Sequence, residues 1–338
     1  MIIKKDELLK ALNEVKVTIR NKEFEKSNIV TFTKTNVVTY TDEMAVICPF
    51  KTEFSFSVSY DEFRDIILGI DSSEINMGKN DSKLLIKTKR TKSELTCFES
   101  TDVESHIESL NLKAINKKWG KLPGDFMEAV KLCIFSVSKD NTQPFLNCLF
   151  VDNNRILSSD DLRISLYKLK EGLGSSFLIP LAAVKELLRF KITEFCLGES
   201  WVYFSTDEHV VFCSRIIEDN FPEVKDNFKF KGKRVLLPEG VEKSVKLVSI
   251  LAEGDLDLDK RIGVKITPKR IIFKGERDIG WIEDNITFDL DIEKDISFSI
   301  NPYLFLDILS RTRGIKVGED RVLFEVDSYK HLMALFNE

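Results

Sequence analysis

Histidine is scarce in this chain, no two cysteines stand close together, and no apolar run is long. His106, His209 and His331 are the only histidines among 338 residues and stand in unrelated contexts, so no zinc-type ligand set is legible. The six cysteines (Cys48, Cys97, Cys133, Cys148, Cys196, Cys213) form no C-x-x-C pair. Most lie among apolar strand residues and read as buried free thiols. No stretch approaches the roughly 18 apolar residues of a membrane span, and Met1-Ile2-Ile3-Lys4-Lys5-Asp6 does not open a signal peptide; a cytoplasmic protein without a membrane partner is expected. The absence of a G-x-x-x-x-G-K-[ST] phosphate loop argues against a nucleotide-driven motor. Ser158-Ser159-Asp160-Asp161 offers two carboxylates, but neighbours in a turn point in different directions and no histidine is near, so metal-assisted hydrolysis fits poorly. No catalytic residue, metal or cofactor is expected.

What is present is repetition. With 43% hydrophobic and 31% charged residues and a formal net charge of −5, the chain has the composition of a soluble globular protein long enough for two or three domains. The segment from Ser176 to Val224 reads as a strand, a helix (LAAVKELLRF) and three strands (ITEFCLG, WVYFSTD, HVVFCSRI). The same β-α-β-β-β unit recurs. One copy opens the chain, its helix running from Asp6 to about Ile19 with Leu8, Leu12, Val15 and Ile19 as the apolar stripe. Others centre on the helices YDEFRDIILGI, PGDFMEAVKLCIFSVS, EGVEKSVKLVSILAE and NPYLFLDILSRT. Six copies, paired, give an α+β chain of three tandem domains, 1–112, 113–228 and 229–338, with the polar stretch Glu99 to Lys118 as the first linker. Three such domains in a row expose strand edges, and closure of two chains into a symmetric ring would cover them.

Several stretches carry a specific resemblance: Gln143-Pro144-Phe145-Leu146-Asn147 leading into CLFVDNN; the turn Ser158-Ser159-Asp160-Asp161-Leu162-Arg163-Ile164; Ile179-Pro180 with its helix; Ser214-Arg215 followed by Phe221-Pro222; and Phe298-Ser299-Ile300-Asn301 with KHLMALF at the end. In order and spacing they resemble the bacterial sliding clamp, the beta subunit of DNA polymerase III, over the whole chain. The length and local departures mark a divergent member, with a phage or other mobile element as one source.

The resemblance implies the sliding-clamp (DNA clamp) fold, a head-to-tail homodimeric ring with helices lining the hole and sheets outside. It also implies a processivity factor that encircles double-stranded DNA without reading its sequence and tethers DNA polymerase and clamp loader through short peptide motifs. Such a ring needs weak phosphate contacts from a basic inner face, compatible with a negative total charge. The positions implied are Arg20, Lys22, Lys139, Lys185, Arg189, Lys243, Lys246, Arg311 and Arg313; the plain alternative for each is a solvated helix face. Leu181-Ala182 stand where the family often has basic residues. The implied peptide pocket comprises Leu146, Ser159, Leu162, Arg163, Ile164, Pro222, Phe228, Met333 and Leu335, with Asp161 and Leu162 in place of the family's glycine and histidine; the aliphatic members could equally be ordinary strand core. The dimer contact maps to Leu95 and Cys97 on one side and Ile250 and Leu251 on the other. Two other readings stay open: a partner-binding module or decoy of the replication machinery that does not close a ring, and a scaffold with no DNA role.

Overall fold

The computed structural model describes residues 1–19, 28–98, 110, 119–140, 142–290 and 292–336. Arg20 and Lys22, and nearly all of the expected first linker, lie outside these residues. The described residues hold six α-helices: α1 (Lys5–Val15), α2 (Tyr60–Gly69), α3 (Phe126–Cys133), α4 (Leu181–Leu187), α5 (Val241–Val248) and α6 (Pro302–Leu309). Each repeat expected from sequence has its helix, and three antiparallel strands follow each one.

Local chemistry explains the helix starts. In α1 and α2 a strand runs directly into the helix, and the first turn carries Asp6 and Glu7, or Asp61 and Glu62, where carboxylates oppose the positive end of the helix dipole. In α6, Asn301 caps the helix, its side-chain oxygen accepting from the backbone N–H groups of Tyr303 and Leu304, both at 3.0 Å, with Pro302 at the first helical position. Two helices are shorter than their apolar periodicity predicts. α1 gives way to a 3-10 turn at Lys16–Thr18, and α5 to one at Ser249–Leu251.

The chain divides into two compact units, residues 1–127 with 171–219 and residues 128–170 with 220–338. In the first unit, one sheet runs Phe56–Ser59, Ile29–Phe32, Asn36–Tyr40, Met44–Pro49, Val211–Arg215, Trp201–Thr206, Ile192–Leu197 and Gly120–Lys121. Its centre is the antiparallel pair of Met44–Pro49 with Val211–Arg215, in register Ile47 to Val211 and Ala45 to Cys213. Strands from two distant repeats thus form one sheet. Leu8, Leu12 and Val15 of α1 are fully buried, with Phe32, Phe56 and Phe63 packed ring to ring nearby. A second cluster gathers Val38, Ala45, Ile47, Leu110, Cys196, Trp201, Tyr203 and Cys213. A separate four-stranded sheet orders Ile2–Lys4, Glu74–Asn80, Lys83–Lys87 and Lys92–Thr96.

The second unit repeats this plan. One sheet carries Cys148–Asp152, Arg155–Ser159, Arg163–Lys168, Tyr329–Ala334, Arg321–Val326, Gly314–Val317 and Lys233–Leu236, fused where Arg163–Lys168 pairs with Tyr329–Ala334. A four-stranded sheet orders Gly280–Thr287, Arg270–Arg277, Ile262–Ile266 and Ile296–Ile300. All six cysteines are buried and free, as the sequence suggested. Among the described residues no helix is long and apolar enough to cross a membrane.

The end of α5 packs closely on a neighbouring strand. The helix terminus lies on Gly275, where a Cβ would meet the Val248 carbonyl oxygen at 2.2 Å and the Leu251 backbone at 3.1 Å. Gly275→Ala should therefore cost about 2 kcal/mol or more, the range of a forced overpacking, measurable as a lower urea midpoint with unchanged slope.

Candidate functional site

The turn between Arg155–Ser159 and Arg163–Lys168 is closed by its own side chains. The Ser159 hydroxyl donates to the Arg163 carbonyl at 3.0 Å, and the Arg163 N–H donates to an Asp160 carboxylate oxygen at 3.0 Å. Asp161 sits at φ 69°, in the left-handed region where glycine is least strained and aspartate is among the few tolerated residues. The glycine that the resemblance places there is thus replaced at a position where backbone geometry limits the choice.

Arg163 leads away from this turn into a buried cluster. Its Nε donates to Asp160 at 2.8 Å, one terminal nitrogen reaches Asp307 at 3.2 Å, and the other donates to the Phe135 carbonyl at 2.6 Å. Its guanidinium also lies 5.0 Å from the Phe135 ring centroid, while that of Arg311 lies 4.6 Å from the same centroid. Only 9% of Arg163 is exposed. Its hydrogen-bonding capacity is largely used within the fold, so it braces the turn against α6. Burial raises the Asp160 pKa and the neighbouring Arg163 charge pulls it back.

Behind this brace lies His331. Its Nδ1 is 3.0 Å from the Ser165 hydroxyl, which also contacts the Ser136 hydroxyl at 2.7 Å and the Tyr329 hydroxyl at 3.0 Å. The ring is fully buried, and its Nε2 has no hydrogen-bond partner among the described residues. Burial, and then the Arg163 and Arg311 charges, hold its pKa well below the ordinary value.

The opposite face of these strands is apolar. Ile164 pairs with Leu332, and with Leu157, Val224 and Leu323 they form one cluster. Partly buried Phe150, Leu166, Phe221, Phe228 and Phe230 pack against it, and Phe150 and Phe221 stack at 5.1 Å. Of the nominated pocket residues, the structure brings Ile164 and Phe228 into this cluster. Arg163 pairs with Met333 in register, and alternation along a strand points both to the side away from Ile164 and Leu332. Leu146, Met333 and Leu335 are buried, Ser159 is occupied by its turn, Leu162 is half-buried, and Pro222 is exposed. Leu157, Leu323, Leu332, Phe150, Phe221 and Phe230 were not nominated. The pairing register is the signal that selects them, and it requires knowing which distant strand lies alongside.

The nominated cations sit on solvated surfaces. Lys139, Lys185, Arg189, Lys243, Lys246, Arg311 and Arg313 are all exposed. Arg189 pairs with Glu186 at 3.1 Å and Arg313 approaches Glu239 at 3.8 Å. α1 exposes Asp6 and Glu7 along with Lys10, and α2 exposes Glu62 and Asp65, so exposed cations are not common to every helix. Of the dimer positions, Ile250 is 68% exposed, Leu251 and Leu95 are half-buried, and Cys97 is buried. Among the described residues no three His, Cys, Asp or Glu side chains are grouped to hold a metal ion.

Solved structures match this arrangement over its full length. The DNA polymerase III subunit beta from Pseudomonas aeruginosa superposes with a TM-score of 0.85 at 14% identity, covering 100% of both chains. The chain has the sliding-clamp fold. The Bacillus subtilis DNA polymerase sliding clamp gives a TM-score of 0.83 at 16% identity, covering 100% of this chain and 98% of that one. The Helicobacter pylori beta clamp bound to a DNA ligase peptide gives 0.80 at 15% identity, covering 100% of both. No protein-family model matches the sequence. No curated protein matches it either. The fold is thus shared at identities of 14–16%.

His331 makes stability pH-dependent in a defined direction. Its folded pKa lies below the unfolded value of about 6.5, so the unfolded chain takes up the proton first and stability falls as pH drops below that value. The slope should reach about 1.4 kcal/mol per pH unit below pH 6 and flatten in His331→Gln, as measured by urea unfolding from pH 7.5 to 5.

Proposed function

We propose that this protein is a DNA polymerase processivity factor: a homodimeric ring that encircles duplex DNA in the cytoplasm and tethers its partners through short peptide motifs. The observation that carries the reading is the end-to-end superposition on several beta clamps, each covered almost completely. In this reading residues 1–112, 113–228 and 229–338 are three clamp domains, with helices toward the hole and sheets outside. The protein acts as a topological link and not as an enzyme.

The surfaces support this assignment. The exposed cations on α4 and α5 and after α6 are suited to weak, sequence-blind phosphate contact, which permits sliding. The apolar face of Ile164, Leu332 and the phenylalanines offers anchors for an extended peptide, the kind of ligand with which the H. pylori clamp was solved. Arg163 then positions the turn beside that face, with its guanidinium committed to Asp160, Asp307 and Phe135.

The deciding experiment is the solution mass by light scattering over a dilution series. A mass near twice 38.9 kDa, lost in Ile250→Arg, is expected; a monomer at micromolar concentration overturns the ring and favours a partner-binding module. Lys243→Glu with Lys246→Glu should weaken binding to duplex DNA uniformly across sequences, and lower the salt slope of the binding constant by about two.

A further inference from the structure

Two guanidinium groups share one aromatic ring in the second unit. Arg163 and Arg311 lie 5.0 and 4.6 Å from the Phe135 ring centroid, and the fully buried His331 ring packs on it as well, at 4.9 Å. The two arginines are otherwise unlike. Arg163 is buried, and its nitrogens reach Asp160, Asp307 and the Phe135 carbonyl. Arg311 is exposed, and among the described residues its side chain makes no hydrogen bond and no ion pair.

Asp307 is an acceptor that suits either of them. It lies on α6 four positions before Arg311, the spacing at which an acid and a base on one helix face meet, yet it accepts from Arg163 at 3.2 Å. The chain keeps turning past the end of α6, since the N–H groups of Arg311 and Thr312 both donate to the Ile308 carbonyl, at 2.9 and 3.1 Å. The Asp307 side chain is 58% exposed, so it changes partner without unpacking the core. Arg163 in turn holds the turn at residues 159–163 through Asp160, and the next residue, Ile164, belongs to the apolar face. A line of touching groups therefore runs from an exposed cation to the rim of that face.

We propose that Asp307 is a two-position switch that couples phosphate contact at Arg311 to the order of the turn beside the apolar face. In one state Asp307 accepts from Arg163, as in the structure. In the other it accepts from Arg311, and Arg163 loses one of its three acceptors. A phosphate oxygen of the duplex that takes Arg311 removes the competitor, so Asp307 stays with Arg163 and the turn is held. A peptide that seats against the held turn then binds the DNA-bound form more tightly, and by linkage it raises the affinity for duplex by the same factor. This rests on the clamp reading above and makes one of its surfaces depend on the other. Phe135 is a positioning residue here, because its ring keeps both guanidiniums in place.

The test is amide hydrogen exchange over residues 158–164, read by mass spectrometry at low salt with and without a saturating short duplex. Circular dichroism checks that each variant folds, and fluorescence anisotropy that the duplex is bound. Wild type should exchange about five-fold more slowly at this turn when the duplex is bound. Arg311→Gln should exchange at the slow rate in both conditions, since the competitor is gone; if Arg311 merely packed on Phe135, removing it would loosen the turn instead. Asp307→Ala should exchange fast in both. Arg313→Gln removes an exposed cation that does not touch Phe135 and should keep the wild-type response. A wild type that binds the duplex with exchange at the turn unchanged overturns the switch and leaves the clamp reading standing. So does Arg311→Gln that exchanges faster than wild type or still responds to the duplex, or Asp307→Ala that is as slow as the DNA-bound wild type. A wild type that binds no duplex at low salt overturns the clamp reading, and the switch with it.

Discussion

The fold depends on one backbone interaction made twice: an antiparallel seam between strands from distant repeats. Met44–Pro49 pairs with Val211–Arg215 in one unit, and Arg163–Lys168 with Tyr329–Ala334 in the other. Buried N–H and C=O groups must find partners, and a single β-α-β-β-β repeat leaves an open edge beside its three strands. Each seam closes two such edges at once. It also fixes register, and register decides which side chains share a face. The apolar face around Ile164 exists because Leu332 lies opposite it, and the Arg163 brace exists because the same strand turns its other side toward α6.

Much of this was legible in the sequence. Alternation marked the strands following each helix, and the 3.6-residue spacing of Leu8, Leu12 and Val15 marked the buried side of α1. Helix ends were less legible: the end of α5 lies against Gly275, a residue of a strand roughly two dozen positions later. The nominated pocket residues do not all share one face. Ile164 and Phe228 join the apolar cluster, but Arg163 turns inward because Asp160, Asp307 and the Phe135 carbonyl surround its guanidinium. Asp307 lies in another repeat, and no local pattern links the two residues.

Charge shows a similar division between chain and surface. A net charge of −5 conceals one exposed hairpin dominated by lysine and an edge strand, Gly280–Thr287, whose only charges are the carboxylates of Glu283 and Asp284. Opposed fields on separate faces can leave total charge almost unchanged while governing what each face accepts. Among the helices, α2 exposes Glu62 and Asp65, whereas α4 exposes Lys185 and α5 exposes Lys243 and Lys246.

The seam also has a consequence for the chain as it is made. Met44–Pro49 leaves the ribosome long before Val211–Arg215, the strand that covers its edge. At the roughly 5–20 residues per second of synthesis, the separation of about 160 residues keeps that edge without its native partner for on the order of ten seconds or more. The later seam imposes a similar wait on Arg163–Lys168, which pairs with Tyr329–Ala334, about 160 residues further on. Both sheets are therefore completed late, so the nascent protein passes through a long interval in which strand edges are open to any other chain nearby.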